Sequence, residues 1–188
     1  VLWLVPGGSA IQIAALASKL ITRGDITVAL TDERFGDVGH KDSNLKQLID
    51  AGFEISIFPV LSGKAIKETV NDFGDFLEKI LKEADYKIGL FGIGKDGHTA
   101  GILPHTEAVF ADTLTYGYNT DTFQRITITP KAIEKLDEVV IFAVGENKYP
   151  ALQNLKKNLN INEEPAQIFK KVPSVTLLSL IHISEPTR

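Results

Sequence analysis

The feature that most constrains this chain is its steady alternation of short apolar or β-branched runs with stretches of helical period. Val1–Val5 is a continuous apolar run stopped by Pro6-Gly7-Gly8, and from Ile11 to Ile21 apolar residues recur on a helical period until Gly24. Ile26–Thr31 predicts a second strand, Asp42 to Ala51 a helix closed by Gly52, and Glu54–Phe58 a third strand ended by Pro59. Ile66, Val70, Phe73, Leu77, Ile80 and Ala84 follow at steps of four and three, the spacing of an amphipathic helix with one core face. Ile88–Ile93 reads as a buried strand, Arg125–Thr129 as an alternating one, Pro130 as a helix start, and Val139–Val144 as a further buried strand before Gly145. Strands this apolar, joined by helices, predict a three-layer α/β fold: a mainly parallel sheet with helices on both faces. No repeat or linker divides the chain, so residues 1–177 are read as one domain.

Charge and cysteine content narrow the function. Twenty Lys plus Arg against twenty-four Asp plus Glu leave a net charge of −4, which disfavours a broad grip on nucleic acid or an acidic membrane. No apolar run approaches the length of a bilayer span. Neither nucleic acid nor membrane is therefore an expected partner, and an anionic ligand needs a local site. The absence of cysteine removes a thiol nucleophile, a Cys-ligated metal and any disulfide, and agrees with a reducing cytoplasm. No His and carboxylate cluster has metal-ligand spacing either, so no metal is expected. The chain starts inside an apolar run and has no Met, so its N-terminus is read as cut. Leu178 to Arg188 resembles the translated adapter of a sequencing library, so these residues are expected to be a non-native tail and His182 to carry no chemistry.

In parallel sheets, ligands bind at the carboxyl ends of the strands. Three such places carry chemistry here. Gly7, Gly8 and Ser9 let the backbone approach a ligand and present N–H groups at a helix start. Thr31-Asp32-Glu33-Arg34 packs two carboxylates and a guanidinium against a strand end, and arginine suits bidentate binding of phosphate or carboxylate. The third and most specific is the segment from Gly92 to Pro104. Gly92, Gly94 and Gly97 satisfy the spacing of a dinucleotide fingerprint, but Pro104 arrives too soon for the long helix that the fingerprint opens. What remains is a glycine-rich turn that presents Asp96 and His98, a setting for a general acid or base. His40 and His105 lack such a setting and are read as surface residues.

The Gly92–Pro104 segment resembles the signature of 6-phosphogluconolactonases, and Asp32-Glu33-Arg34 followed by Asp42-Ser43-Asn44 resembles their second signature. Pro6-Gly7-Gly8-Ser9, Arg125 to Thr129 and Gly145-Glu146-Asn147-Lys148 are similar to three weaker ones in the same order, so the likeness runs from Val1 to about Leu177. The resemblance implies the Rossmann-like fold shared with glucosamine-6-phosphate deaminase and ribose-5-phosphate isomerase. It also implies a cytoplasmic role in the oxidative pentose phosphate pathway, a sugar phosphate as ligand, and no cofactor. Helices before Val1 and after Leu177 are implied as well, so the chain is expected to be trimmed at both ends. Arg34 and Gly101-Ile102-Leu103 stand where the sister deaminases carry Tyr and Asn-Glu-Pro, which favours the lactonase.

Opening a six-membered lactone requires a base for water, donors for the oxyanion and an anchor for the distant phosphate. His98 is the expected base. The N–H groups of the Gly94–Gly97 turn are the expected oxyanion donors, and Asp96 is expected to orient a donor or a substrate hydroxyl. Arg34, Arg125 and Lys148, with Gly7, Gly8 and Ser9, are expected to hold phosphate and carboxylate; Asp32, Gly97 and Thr99 complete the substrate site. A deaminase or isomerase of the same fold, with Asp32 abstracting a proton from carbon, is the alternative. A non-catalytic sugar-phosphate or dinucleotide binder comes after it.

Overall fold

The computed structural model describes residues 1–22 and 24–180. Its strands are β1 (Leu2–Val5), β2 (Thr27–Leu30), β3 (Asp32–Arg34), β4 (Lys87–Gly92), β5 (Thr115–Asn119), β6 (Gln124–Ile128), β7 (Glu138–Val144) and β8 (Ser174–Leu180). The helices are α1 (Ile11–Ser18), α2 (Asn44–Asp50), α3 (Ile66–Glu83), α4 (Pro130–Ile133) and α5 (Tyr149–Asn154). Five strands form a parallel sheet in the order β2-β1-β4-β7-β8, and β3-β6-β5 form a small antiparallel sheet. The chain steps one way from β1 to β2 and the other way from β4 to β7 and β8. Right-handed crossovers therefore put α1, with α2 packed on it, on one face, and α3, α4 and α5 on the other. The point of reversal lies between β1 and β4, where the loops leaving two adjacent strands diverge and leave a crevice.

The predicted periods become the core. Leu2, Leu4, Leu30 and Phe91 are 0–1% exposed on the strands, and α3 turns Phe73, Leu77 and Leu81 inward. Phe91 meets Phe169 across the outer layer with ring centroids 5.0 Å apart. Helix α1 ends at Ser18 rather than at Ile21. The Ser18 hydroxyl donates back to the Ala15 carbonyl and accepts the N–H of Glu54, so the turn is tied to the next connection instead of extending.

Glu54–Phe58 is not a strand, and this corrects the sequence reading. Only one bridge, Val28 with Ile57, and one bond from Phe58 N–H to the Val28 carbonyl tie it to β2. Pro59 supplies no donor to carry the ladder further, while Ile55, Ile57 and Phe58 still pack on the core. The small sheet was not anticipated as a sheet. Thr31 joins it to the large one: its N–H donates to Val5 of β1 and its carbonyl accepts from Ile128 at the end of β6. Strand β8 includes Leu178–Leu180, the first residues of the expected tail, paired with Phe142–Val144 of β7; the rest of that tail, from 181 to 188 with His182, lies outside the described residues.

Candidate functional site

The carboxyl ends of β1 and β4 open onto a cleft of about 270 Å3, close to the lower end of small-molecule sites (roughly 300–1,000 Å3). Gly7, Gly8, Ser9, Asp32, Arg34, His98, Thr99, Arg125 and Lys148 all line it. The strand ends thus bring together most of the residues that the sequence singled out. Asp96 and Gly97 stand behind the wall: Asp96 supports His98, and Gly97 abuts Glu164. A larger groove of about 1,090 Å3 between α3 and β5 contains no histidine and none of these residues.

His98 sits on the loop after β4. That loop is closed by Gly94 N–H to the His98 carbonyl at 2.8 Å and by Gly97 N–H to the Gly94 carbonyl at 3.1 Å. The ring is partly exposed, and Nδ1 lies 2.6 Å from an Asp96 carboxylate oxygen that also accepts the His98 backbone N–H. Partial burial pushes the Asp96 carboxyl up, but the His98 charge and these bonds outweigh it and hold the pKa below the usual range. With Nδ1 turned to a carboxylate, Nε2 is the nitrogen left for the cleft. The group that Asp96 contacts is therefore the imidazole of His98, from a position that can orient it. Of the expected oxyanion donors, the N–H groups of Gly94 and Gly97 are engaged within their own turn, and none of the residues from Gly94 to Gly97 lines the cleft.

Arg34 and Arg125 face each other as cross-strand partners in the β3–β6 register. Like charges in that relation repel. Both guanidiniums rest on the Phe123 ring, at 5.2 and 5.8 Å from its centroid. Arg34 donates to the Asp42 carbonyl at 3.0 Å and Arg125 reaches Asp32 at 3.5 Å, yet each keeps a buried Nε without a partner. Among the described residues the Asp32 carboxylate has only that contact and the Thr31 hydroxyl at 3.3 Å, so burial prevails over the arginines and raises its pKa. Lys148, in the turn before α5, has no acceptor among the described residues. Cations in excess, with idle donors, are an arrangement suited to an anion.

Some contributors escaped the sequence reading. Asn44 donates to the Asp32 carbonyl at 2.9 Å, lines the cleft and keeps a buried Oδ1 without a partner. Any side chain at Gly7 would collide with the Asn44 amide, so the glycine is required by close approach. The sequence offers Asp42-Ser43-Asn44 as a motif, but the reach of Asn44 to Gly7 is tertiary. Ala100, Gly101 and Phe123 gave no polar signal at all. His40 is half-buried and bonded to the Arg34 carbonyl, which makes it a support of the site; His105 is exposed and pairs with Asn162. No group of three or more metal-ligating side chains occurs among the described residues, and no helix there is long and apolar enough to cross a membrane.

Residues 3–177 match the family of glucosamine-6-phosphate isomerases/6-phosphogluconolactonase. The chain belongs to that family. It is 36% identical over 101 residues to a 6-phosphogluconolactonase of Borreliella burgdorferi, covering 51% of this chain and 43% of that protein. It is 30% identical over 142 residues to one from Helicobacter pylori, covering 70% of this chain and 61% of that protein. The chain thus spans about half the length of these curated relatives. The crystal structure of a 6-phosphogluconolactonase from Thermotoga maritima superposes with a TM-score of 0.82 at 19% identity, over 95% of this chain and 84% of that one. At that identity the superposition speaks for the fold. Within this family fold, the loops after β1, β2 and β4 carry the cleft just described.

Proposed function

We propose that the chain hydrolyses 6-phospho-D-glucono-1,5-lactone to 6-phospho-D-gluconate. The observation that carries this reading is the Asp96–His98 pair opening onto the same cleft as Arg34, Arg125 and Lys148. His98 Nε2 takes a proton from water as the oxygen attacks the lactone carbonyl. The tetrahedral intermediate then collapses, the bond from C1 to the ring oxygen breaks, and the imidazolium returns its proton to that oxygen. Asp96 holds the ring and stabilises its charged form. Lys148, one or both arginines, and the N–H groups near Gly8 and Ser9 hold the phosphate, while Asp32, Thr99 and Asn44 border the sugar. The chemistry needs neither metal nor organic cofactor. The pathway in this reading is the oxidative pentose phosphate route of the cytoplasm, which agrees with the family and with a cysteine-free chain.

The test is hydrolysis of 6-phosphogluconolactone above a no-enzyme control, beside wells of glucosamine 6-phosphate. Turnover of the lactone alone supports the reading. Ammonia release from the amino sugar, or deuterium uptake at C2 of a sugar phosphate, would move the assignment to the deaminase and isomerase chemistry in which Asp32 is the base.

A further inference from the structure

We propose that the backbone amides of Ala100 and Gly101 form the oxyanion site of this lactone hydrolysis, an inference that rests on the activity proposed above. Thr99 to Ile102 is a tight turn closed by Ile102 N–H to the Thr99 carbonyl at 2.7 Å. Both central residues are left-handed, Ala100 at φ 51° and Gly101 at φ 71°. For alanine that conformation is disfavoured, so something must hold it.

The small sheet supplies the clamp. The Thr127 hydroxyl donates to the Ala100 carbonyl and the Tyr118 hydroxyl to the Gly101 carbonyl. In a trans peptide the carbonyl and the following N–H point in opposite directions. The pinned Ala100 carbonyl therefore turns the Gly101 N–H away from Thr127. The Thr99 carbonyl, bonded inside the turn, directs the Ala100 N–H outward. Neither N–H has a partner among the described residues. Both residues are buried and line the cleft with His98. Buried amides without acceptors are rare, and two in succession beside a general base mark where negative charge develops. The amides of Gly94, Gly97 and His98 are engaged, and none of the residues from Gly94 to Gly97 lines the cleft. Base and donors then belong to one short loop, and Tyr118 and Thr127 are positioning residues that act through its carbonyls.

Replacing Gly101 by glycolate, an amide-to-ester exchange, removes the N–H and leaves every side chain in place. That N–H makes no bond within the described residues, so folding is touched only through the Ala100 carbonyl, which as an ester accepts more weakly from Thr127. The expected result is a fall in kcat of roughly 10²–10³-fold on 6-phosphogluconolactone with KM nearly unchanged. Tyr118→Phe keeps the ring but frees the Gly101 carbonyl, and is expected to lower kcat by about tenfold, again with KM unchanged. A glycolate chain with wild-type kcat overturns the inference, as does a Tyr118→Phe chain that loses KM instead. If the wild-type chain itself shows no turnover above background, the proposed activity falls and the inference with it. Wild-type turnover that survives both changes removes the inference alone.

Discussion

Glu33 and the residues on either side of it belong to two different regimes. The Glu33 carboxylate is fully buried at the start of α2 and accepts four hydrogen bonds, from the N–H groups of Arg34, Asn44 and Leu45 and from the Ser43 hydroxyl. Burial still pushes its carboxyl pKa up, against the pull of those bonds. One residue away, Asp32 has two long contacts, Arg34 and Arg125 keep idle Nε donors, and Asn44 keeps an idle acceptor. Polar saturation marks the side that holds the fold, where α2 is docked on β3. Polar deficit marks the side that faces the cleft. The two are interleaved along three consecutive residues because alternate positions of a strand face opposite ways.

The largest expected effect lies on the unsaturated side. His98→Ala should lower the lactonase rate by about 10²–10⁴, the usual worth of a general base. Its denaturation midpoint should stay put, because the ring is partly exposed and bonded only to Asp96. Unchanged turnover above the spontaneous background would end the mechanism. On the saturated side, Glu33→Gln should cost about 3 kcal/mol in denaturant-measured stability, since an amide NH2 would face backbone N–H donors that need an acceptor. A near-neutral result would show that the two sides differ less than their bonds suggest.

Next come the cations. Arg125→Ala and Lys148→Ala should each weaken binding of 6-phosphogluconate by roughly 1.5–3 kcal/mol, measured by calorimetry, and less in high salt. Gluconate, which lacks the phosphate, should hardly notice. Equal losses for both ligands would assign these side chains to something other than phosphate.

The smallest effect concerns pH. The Asp32 carboxyl is raised, so its contribution to stability is complete below the unfolded value near 3.9 and declines as pH climbs through the folded one. The stability of the wild-type chain relative to Asp32→Asn should therefore decline as pH rises from about 4 toward neutrality. A difference that grows over that range would mean that Arg125, not burial, governs Asp32.

Much of this was legible in the sequence, and the failures have definite causes. The large sheet and α3 announce themselves because burial on a strand or one helix face imposes its own period on Leu2 to Val5 or on Phe73, Leu77 and Leu81. Glu54–Phe58 carried the same signal, but Pro59 removed a ladder donor and the segment became core-packed coil. The small sheet was partly hidden because β3 is three charged residues and β5 alternates tyrosine around Gly117. Glycine and histidine advertised the loop after β4, and the acid beside His98 was visible two positions away. What Asp96 binds was not, and nor was the left-handed Ala100: an alanine gives no hint of a conformation imposed by Tyr118 and Thr127 from another sheet.

Thr31 ties these parts together. Fully buried, it gives its N–H to β1 and its carbonyl to β6, so one residue is a rung in the ladders of both sheets. The wall bearing Arg34 and Arg125 cannot peel away from the wall bearing Gly7 and Gly8 without breaking that rung. The two sheets should then open as one cooperative unit, with the Thr31 and Ile128 amides exchanging their hydrogens only through the same rare event that exposes Leu4 and Leu30. The two walls of the crevice are thus tied together before any ligand enters it.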